Sequence, residues 1–315
     1  MRPDIMEELD RKASLKLNPA IDCQRNSRGG RLSRLCGRAG RILLSAGFHL
    51  TRVSGLLRFT PRSDDIFVAS YPRSGTTWLQ MVLYQLTTDG GLDFEHISAV
   101  VPYFERSLLT GRNLNLLPAP RVFKTHLSYL EAPKGFGRFI YVARSGRDVL
   151  VSNFHFQKTH GGFKGTFDEF FERFLTGQVP GGSWFEHVAE WRANRAHVRV
   201  LFLTYEELTT QLETCIRSIA EFCNLPLSPA RLATVLERCS FDFMKQHEHK
   251  FDFLNEVLWE RGFVQGSFIR EGKMGSWKEY FSQDQELAFR RVAELHSGGA
   301  PAARTRERGG NAETS

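Results

Sequence analysis

The sequence predicts an α/β fold: a single domain in which a central parallel sheet is flanked by helices. Two observations carry that prediction. Apolar runs at Ile66–Ala69, Arg121–Lys124, Phe139–Ala143 and Val198–Leu203 each pass into polar residues, and helical patterns follow at Trp78–Leu86, Asp148–Gln157 and Tyr205–Phe222. The chain of 315 residues can bury one large core, and its 41% hydrophobic and 24% charged residues are ordinary for a globular protein. In such a sheet ligands sit at the carboxyl ends of the strands. Tyr71 to Thr77, Lys124 to His126, Arg144 and Tyr205 all fall just after a strand, so the predicted fold sets them along one rim.

The first element is the most informative. Ile66–Ala69 reads as a short buried strand, Pro72 ends it, and Trp78-Leu-Gln-Met-Val-Leu-Tyr-Gln-Leu86 has the apolar spacing of a helix. Between them lies a P-loop-like turn with backbone N–H groups at a helix N-terminus, the hydroxyls of Ser74, Thr76 and Thr77, and the charge of Arg73. Phosphate and sulfate are bound by donors of this kind. Ser70 stands near the place of a first P-loop glycine and no Gly-Lys-Ser/Thr closes the turn, which argues against a Walker-type ATPase or nucleotide kinase. Taken alone, the same residues also fit a polar cap that merely starts a helix.

Three later segments follow in order: Val122-Phe-Lys-Thr-His-Leu127, Phe139-Ile-Tyr-Val-Ala-Arg-Ser-Gly-Arg-Asp-Val-Leu-Val-Ser-Asn-Phe-His-Phe156 and Phe268-Ile-Arg-Glu-Gly-Lys-Met-Gly-Ser-Trp-Lys278. With Phe67-Val-Ala-Ser-Tyr-Pro-Arg-Ser-Gly-Thr-Thr-Trp78, and with landmarks at Gly182–Val188 and Leu203–Leu208, they resemble the motifs of cytosolic-type sulfotransferases over about residues 63 to 290. The resemblance implies 3′-phosphoadenylyl sulfate (PAPS) as sulfuryl donor and a small apolar or aromatic alcohol, phenol or amine as acceptor, with no metal. It implies His126 as general base, and Lys124 and Arg73 as stabilisers of the transferring group. Arg73, Ser74, Gly75, Thr76 and Thr77 would hold the 5′-phosphosulfate end. Arg144, Ser152, Arg270 and Gly272, with Glu271 beside them, would meet the 3′-phosphate. Trp78 and Phe241 would sandwich the adenine, with Tyr205 and Ser240 at its polar edge. A lid within Leu236–Phe268 is implied as well, and Tyr103, Phe104 and Phe156 are candidates for the acceptor wall.

Four positions, in three motifs, depart from the family pattern. Arg73 replaces a lysine thought to stabilise the leaving oxygen; arginine keeps the charge but is effectively never deprotonated, so electrostatic stabilisation is the expected role. A catalytically weakened, nucleotide-binding relative is the alternative reading that this substitution keeps open. Glu271 stands where a lysine is usual, and Gln283 and Leu287 interrupt the family's dimer motif, leaving the homodimer open.

Charge is distributed unevenly. Residues 23–62 hold nine of the arginines and no acidic residue, so the formal +7 resides in an N-terminal arm and a nucleic-acid partner beyond the adenosine cofactor is not expected. Arg31, Arg34, Arg38 and Arg41 recur at helical spacing beside Leu32, Leu35, Ala39 and Ile42, the pattern of a basic amphipathic helix. A surface helix packed on the domain, peripheral contact with an anionic membrane, and an organelle presequence all fit it. The expected organisation is an arm at 1–62, a sulfotransferase domain at 63–296 and a disordered tail at 297–315. Five cysteines without a Cys-x-x-Cys pair, and histidines without zinc spacing, point to reduced thiols in a cytoplasmic compartment. Ile42–Leu50 is about half the ~20 apolar residues a membrane span needs, and the acidic first residues do not suit a secretory signal.

Overall fold

The computed structural model describes residues 55–252, 269, 272 and 274–296. The expected arm before Gly55, the tail from 297, Arg270 and Glu271 lie outside the described residues. Along the chain the elements are β1 (Ile66–Ala69), α1 (Thr76–Thr87), α2 (Ile97–Val100), α3 (Phe104–Thr110), β2 (Val122–Thr125), β3 (Arg138–Ala143), α4 (Gly146–Thr159), α5 (Phe167–Leu175), α6 (Trp184–Ala193), β4 (Val200–Thr204), α7 (Tyr205–Thr210), α8 (Leu212–Cys223), α9 (Pro229–Arg238), α10 (Phe241–Gln246) and α11 (Gln283–His296).

All four strands run parallel in the order β2-β1-β3-β4. The register pairs Ile66 with both Val122 and Arg138, and Phe139 with Val200. Alternation along the central strands sends Ile66, Val68, Ile140 and Val142 into a layer with Leu79, Leu83, Ile216 and Ile219. Phe67, Ala69, Phe139 and Tyr141 face the opposite layer, with Phe104, Phe123 and Trp191. Burial on both faces is why these strands read as continuous apolar runs.

The order has a functional consequence. The chain leaves β1 toward β2 on one side and leaves β3 toward β4 on the other, so the connections that follow β1 and β3 diverge. A crevice opens where neighbouring connections part. The predicted helix over Tyr205–Phe222 is divided at Gln211, whose non-helical backbone (φ −140°, ψ 45°) separates α7 from α8. A reciprocal capping box between Thr204 and Glu207 begins α7 directly at the end of β4, which fixes Tyr205 at the rim. Phe104, an expected acceptor-wall residue, is instead fully buried against Phe59 and Phe67.

Two polar devices hold the frame. Arg121, fully buried, donates to both carboxylate oxygens of Asp65 at 2.7 Å and to the Thr60 carbonyl, joining the entrances of β1 and β2. At the other end, the buried Asp148 of α4 accepts the backbone N–H groups of Gly275 and Trp277 at 3.0 and 3.4 Å. That contact docks the last motif beside the rim.

Candidate active site

A cleft of about 470 Å³ lies over the carboxyl ends of the strands. The turn after β1 supplies its floor. Gly75 caps α1 with φ of 98°, and Arg73 also takes the left-handed conformation at φ 69°. For an arginine that conformation costs about 1–2 kcal/mol, so surrounding contacts must hold it. Arg144, at the end of β3, donates from Nη1 to the Arg73 carbonyl at 3.1 Å. The Arg73 Nε–H donates to Ser152 Oγ at 3.2 Å, and its guanidinium lies 4.9 Å from the Phe156 ring centre.

Ser70 and Thr76 share a 2.6 Å hydroxyl contact across the turn. The Ser74 hydroxyl is buried with no partner among the described residues. A Cβ on Gly75 would stand 2.8 Å from a Tyr205 ring carbon, and one on Gly272 2.5 Å from Phe241. At both positions an aromatic ring therefore packs directly on the glycine backbone, an approach that only the absence of a side chain allows. An unused buried donor, consecutive backbone N–H groups at the start of a twelve-residue helix and two nearby arginines fit a doubly anionic group.

His126 follows β2. The carbonyl of Ser70 lies 2.8 Å from its Nδ1 and can only accept, so Nδ1 carries the proton and Nε2 keeps the lone pair. Burial, and after it the Lys124 ammonium, hold this imidazole well below its ordinary range. The His126 backbone N–H donates to Glu105 at 2.7 Å. Tyr103 reaches the site because Lys124 N–H bonds the Pro102 carbonyl, adding a one-residue bridge to the free edge of β2. Its ring meets His126 edge-on at 5.4 Å and lies 5.0 Å beneath the Lys124 ammonium.

A second histidine secures the loop from beneath. His187 of α6 donates from Nε2 to the Leu127 carbonyl at 3.1 Å, and Trp191 donates to the same oxygen at 3.2 Å. Its Nδ1 accepts the Tyr141 hydroxyl at 3.0 Å. Burial pulls this imidazole down to about 4.

Of the residues singled out in the sequence, Arg73, Gly75, Thr76, Thr77, Trp78, Lys124, His126, Arg144, Ser152, Tyr205, Phe241 and Gly272 line one cleft, as do Tyr103 and Phe156. Arg144 packs its guanidinium on the Tyr205 ring at 4.2 Å. Trp78 meets Tyr205 edge-on at 5.8 Å while its indole N–H donates to the Cys239 carbonyl at 2.7 Å. Ser240 does not line the cleft: its hydroxyl accepts the Phe243 N–H as the cap of α10. Sequence reading missed Glu105, Asn153, Pro180 and Met244, which also line it. Nothing local distinguishes these residues; tertiary packing brings them there.

Residues 63–302 match the sulfotransferase domain family. Sulfotransferase 1B1 of Mus musculus is 34% identical over 246 residues, which span 73% of this chain and 82% of that protein. Among solved structures, mouse sulfotransferase SULT7A1 complexed with PAP is 27% identical with a TM-score of 0.63, covering 77% of this chain and 88% of that one. Retinol dehydratase in a complex with retinol and PAP is 26% identical with a TM-score of 0.67, covering 77% and 84%. With the match extending over most of the chain and the same rim bearing the motifs, this protein belongs to the sulfotransferase family.

Proposed function

We propose that the cleft transfers a sulfuryl group from PAPS to a hydroxyl, or an amine, of a small apolar or aromatic acceptor. The observation that carries this reading is the convergence of His126, Lys124 and Arg73 on one cleft beside the glycine-capped start of α1. PAPS supplies the activated sulfur, whose bond to the bridging oxygen breaks as the acceptor oxygen bonds to it.

The rest is the work of this chain. His126 Nε2, unprotonated at neutral pH, takes the acceptor proton. Lys124 and Arg73 oppose the charge that builds on the sulfuryl and bridging oxygens. Ser74, Gly75, Thr76 and Thr77 seat the 5′ end through hydroxyls and backbone N–H groups. Arg144, Ser152, Gly272 and, outside the described residues, Arg270 meet the 3′-phosphate, with Glu271 next to them. Trp78, Tyr205 and Phe241 bracket the adenine, with Ser240 holding Phe241 through its helix cap. The acceptor packs on Tyr103 and Phe156. Retinol bound with PAP in a relative of this family supports an apolar alcohol as acceptor.

Arginine at 73 keeps its proton throughout, so leaving-group stabilisation is electrostatic. The same reading places the enzyme in the cytoplasm, with 63–296 as the catalytic unit. Labelled sulfate transfer from PAPS to a panel of phenols, alcohols and amines tests the whole. His126→Ala is expected to abolish transfer while PAP affinity, measured by calorimetry, stays within twofold. Ordinary PAP binding with no transfer to any acceptor would favour the alternative, a nucleotide-binding protein that has lost catalysis.

A further inference from the structure

We infer that Phe156 is a positioning residue for Arg73: its ring, with Ser152, sets the guanidinium plane from which the leaving oxygen is stabilised. This rests on the proposed sulfuryl transfer and goes beyond it, because it assigns the group that makes an arginine competent where the family pattern has a lysine.

Ser152 and Phe156 are four residues apart on α4, so both project from one helix face toward the turn after β1. Arg73 meets them with different parts of one planar group. The Nε–H edge donates to Ser152 Oγ at 3.2 Å, and the guanidinium carbon stands 4.9 Å from the Phe156 centroid. An edge contact and a face contact together leave a planar cation little rotation. The backbone beneath is equally constrained, by φ of 69° and the Arg144 bond to the Arg73 carbonyl.

Phe156 is itself held. His160, one turn on, stacks on it at 4.9 Å with the rings only 13° from parallel. Burial lowers the His160 imidazole below its usual range, so at neutral pH that partner is an uncharged ring and does not compete with Arg73 as a cation. An ammonium has no plane to lay on a ring, so the arrangement is specific to arginine. Before any ligand arrives the charge is oriented, which is what stabilisation of a developing anion requires.

The test compares Phe156→Leu, Phe156→Tyr and wild type in both the Arg73 and the Arg73→Lys backgrounds, with PAPS and 2-naphthol as substrates. Phe156→Leu is expected to lower kcat about three- to thirtyfold, the rate equivalent of one cation–π contact, with PAP affinity unchanged. Phe156→Tyr, which keeps the ring, should recover kcat to within twofold. In the Arg73→Lys background the Phe156→Leu effect should shrink below twofold. An effect confined to the KM for 2-naphthol, or a loss of equal size in both backgrounds, would overturn the inference and leave sulfuryl transfer standing. Absence of transfer in wild type that still binds PAP would overturn both. PAP affinity identifies any variant that has failed to fold, and Phe156→Tyr then decides between the two outcomes.

Discussion

Replacing His187 with glutamine removes one titration from the interior and thereby measures what the buried histidine costs at low pH. In the native protein its imidazole is pulled down to about 4 by burial, whereas an unfolded chain holds it at the ordinary 6.5. Between those values the unfolded chain binds the proton and the native one does not, so stability falls as the pH falls. The gap is worth about 3 kcal/mol once the pH has passed through 4, and about 2 kcal/mol by pH 5. Glutamine cannot titrate, yet its amide can still donate to the Leu127 carbonyl that His187 holds at 3.1 Å. Urea unfolding of both proteins at pH 7.5 and pH 5 gives the two losses, and the difference between them should be about 2 kcal/mol. His126, also lowered by burial, contributes in the same direction in both proteins and cancels to first order. Parallel loss of stability in the two proteins would refute the reasoning, because it would mean that His187 is charged in the native state or reaches water.

Gly75→Ala should weaken PAP binding at least tenfold by calorimetry, since its φ is 98° and the new Cβ would meet Tyr205 at 2.8 Å; unchanged affinity would show that this turn is not the anion seat. Asp65→Asn should cost about 3–5 kcal/mol in urea unfolding, because the buried Arg121 would lose its counter-charge. A cost under about 1 kcal/mol would mean that water or a rearranged loop takes over the role of the carboxylate. The acid limb of kcat/KM should fall well below 6.5, since His126 is already deprotonated above its lowered value. A limb at or above 6.5 would assign the base elsewhere.

Much of the fold was legible because the physics behind it is local. Ile66–Ala69 is a strand over the expected residues, since four consecutive apolar side chains between turn signals can be satisfied only between two buried faces. The other three strands begin or end one or two residues from their expected bounds, as with Val200–Thr204 against Val198–Leu203. The site was legible to the extent that its residues immediately follow strands: Arg73, His126, Arg144 and Tyr205 needed only a parallel sheet to meet. Ser240 could not be resolved in this way. A serine three residues before an available backbone N–H caps a helix as readily as it meets a ligand, and here it caps α10.

What the sequence determined by itself was the succession of four strands with the helices that follow three of them, the hydroxyl-rich turn before α1, and the membership of the motifs that share one rim. Those properties depend on residues close together in the chain. Tertiary structure decided what distance along the chain hides. It buried Phe104 in the core while leaving Tyr103 beside His126, because a single bridge to the edge of β2 sets which of two neighbouring aromatics turns outward. It gave His126 its tautomer through the Ser70 carbonyl, 56 positions away in sequence. It also laid Arg73 on Phe156, since only the packing of α4 against the turn after β1 brings that ring beneath the guanidinium.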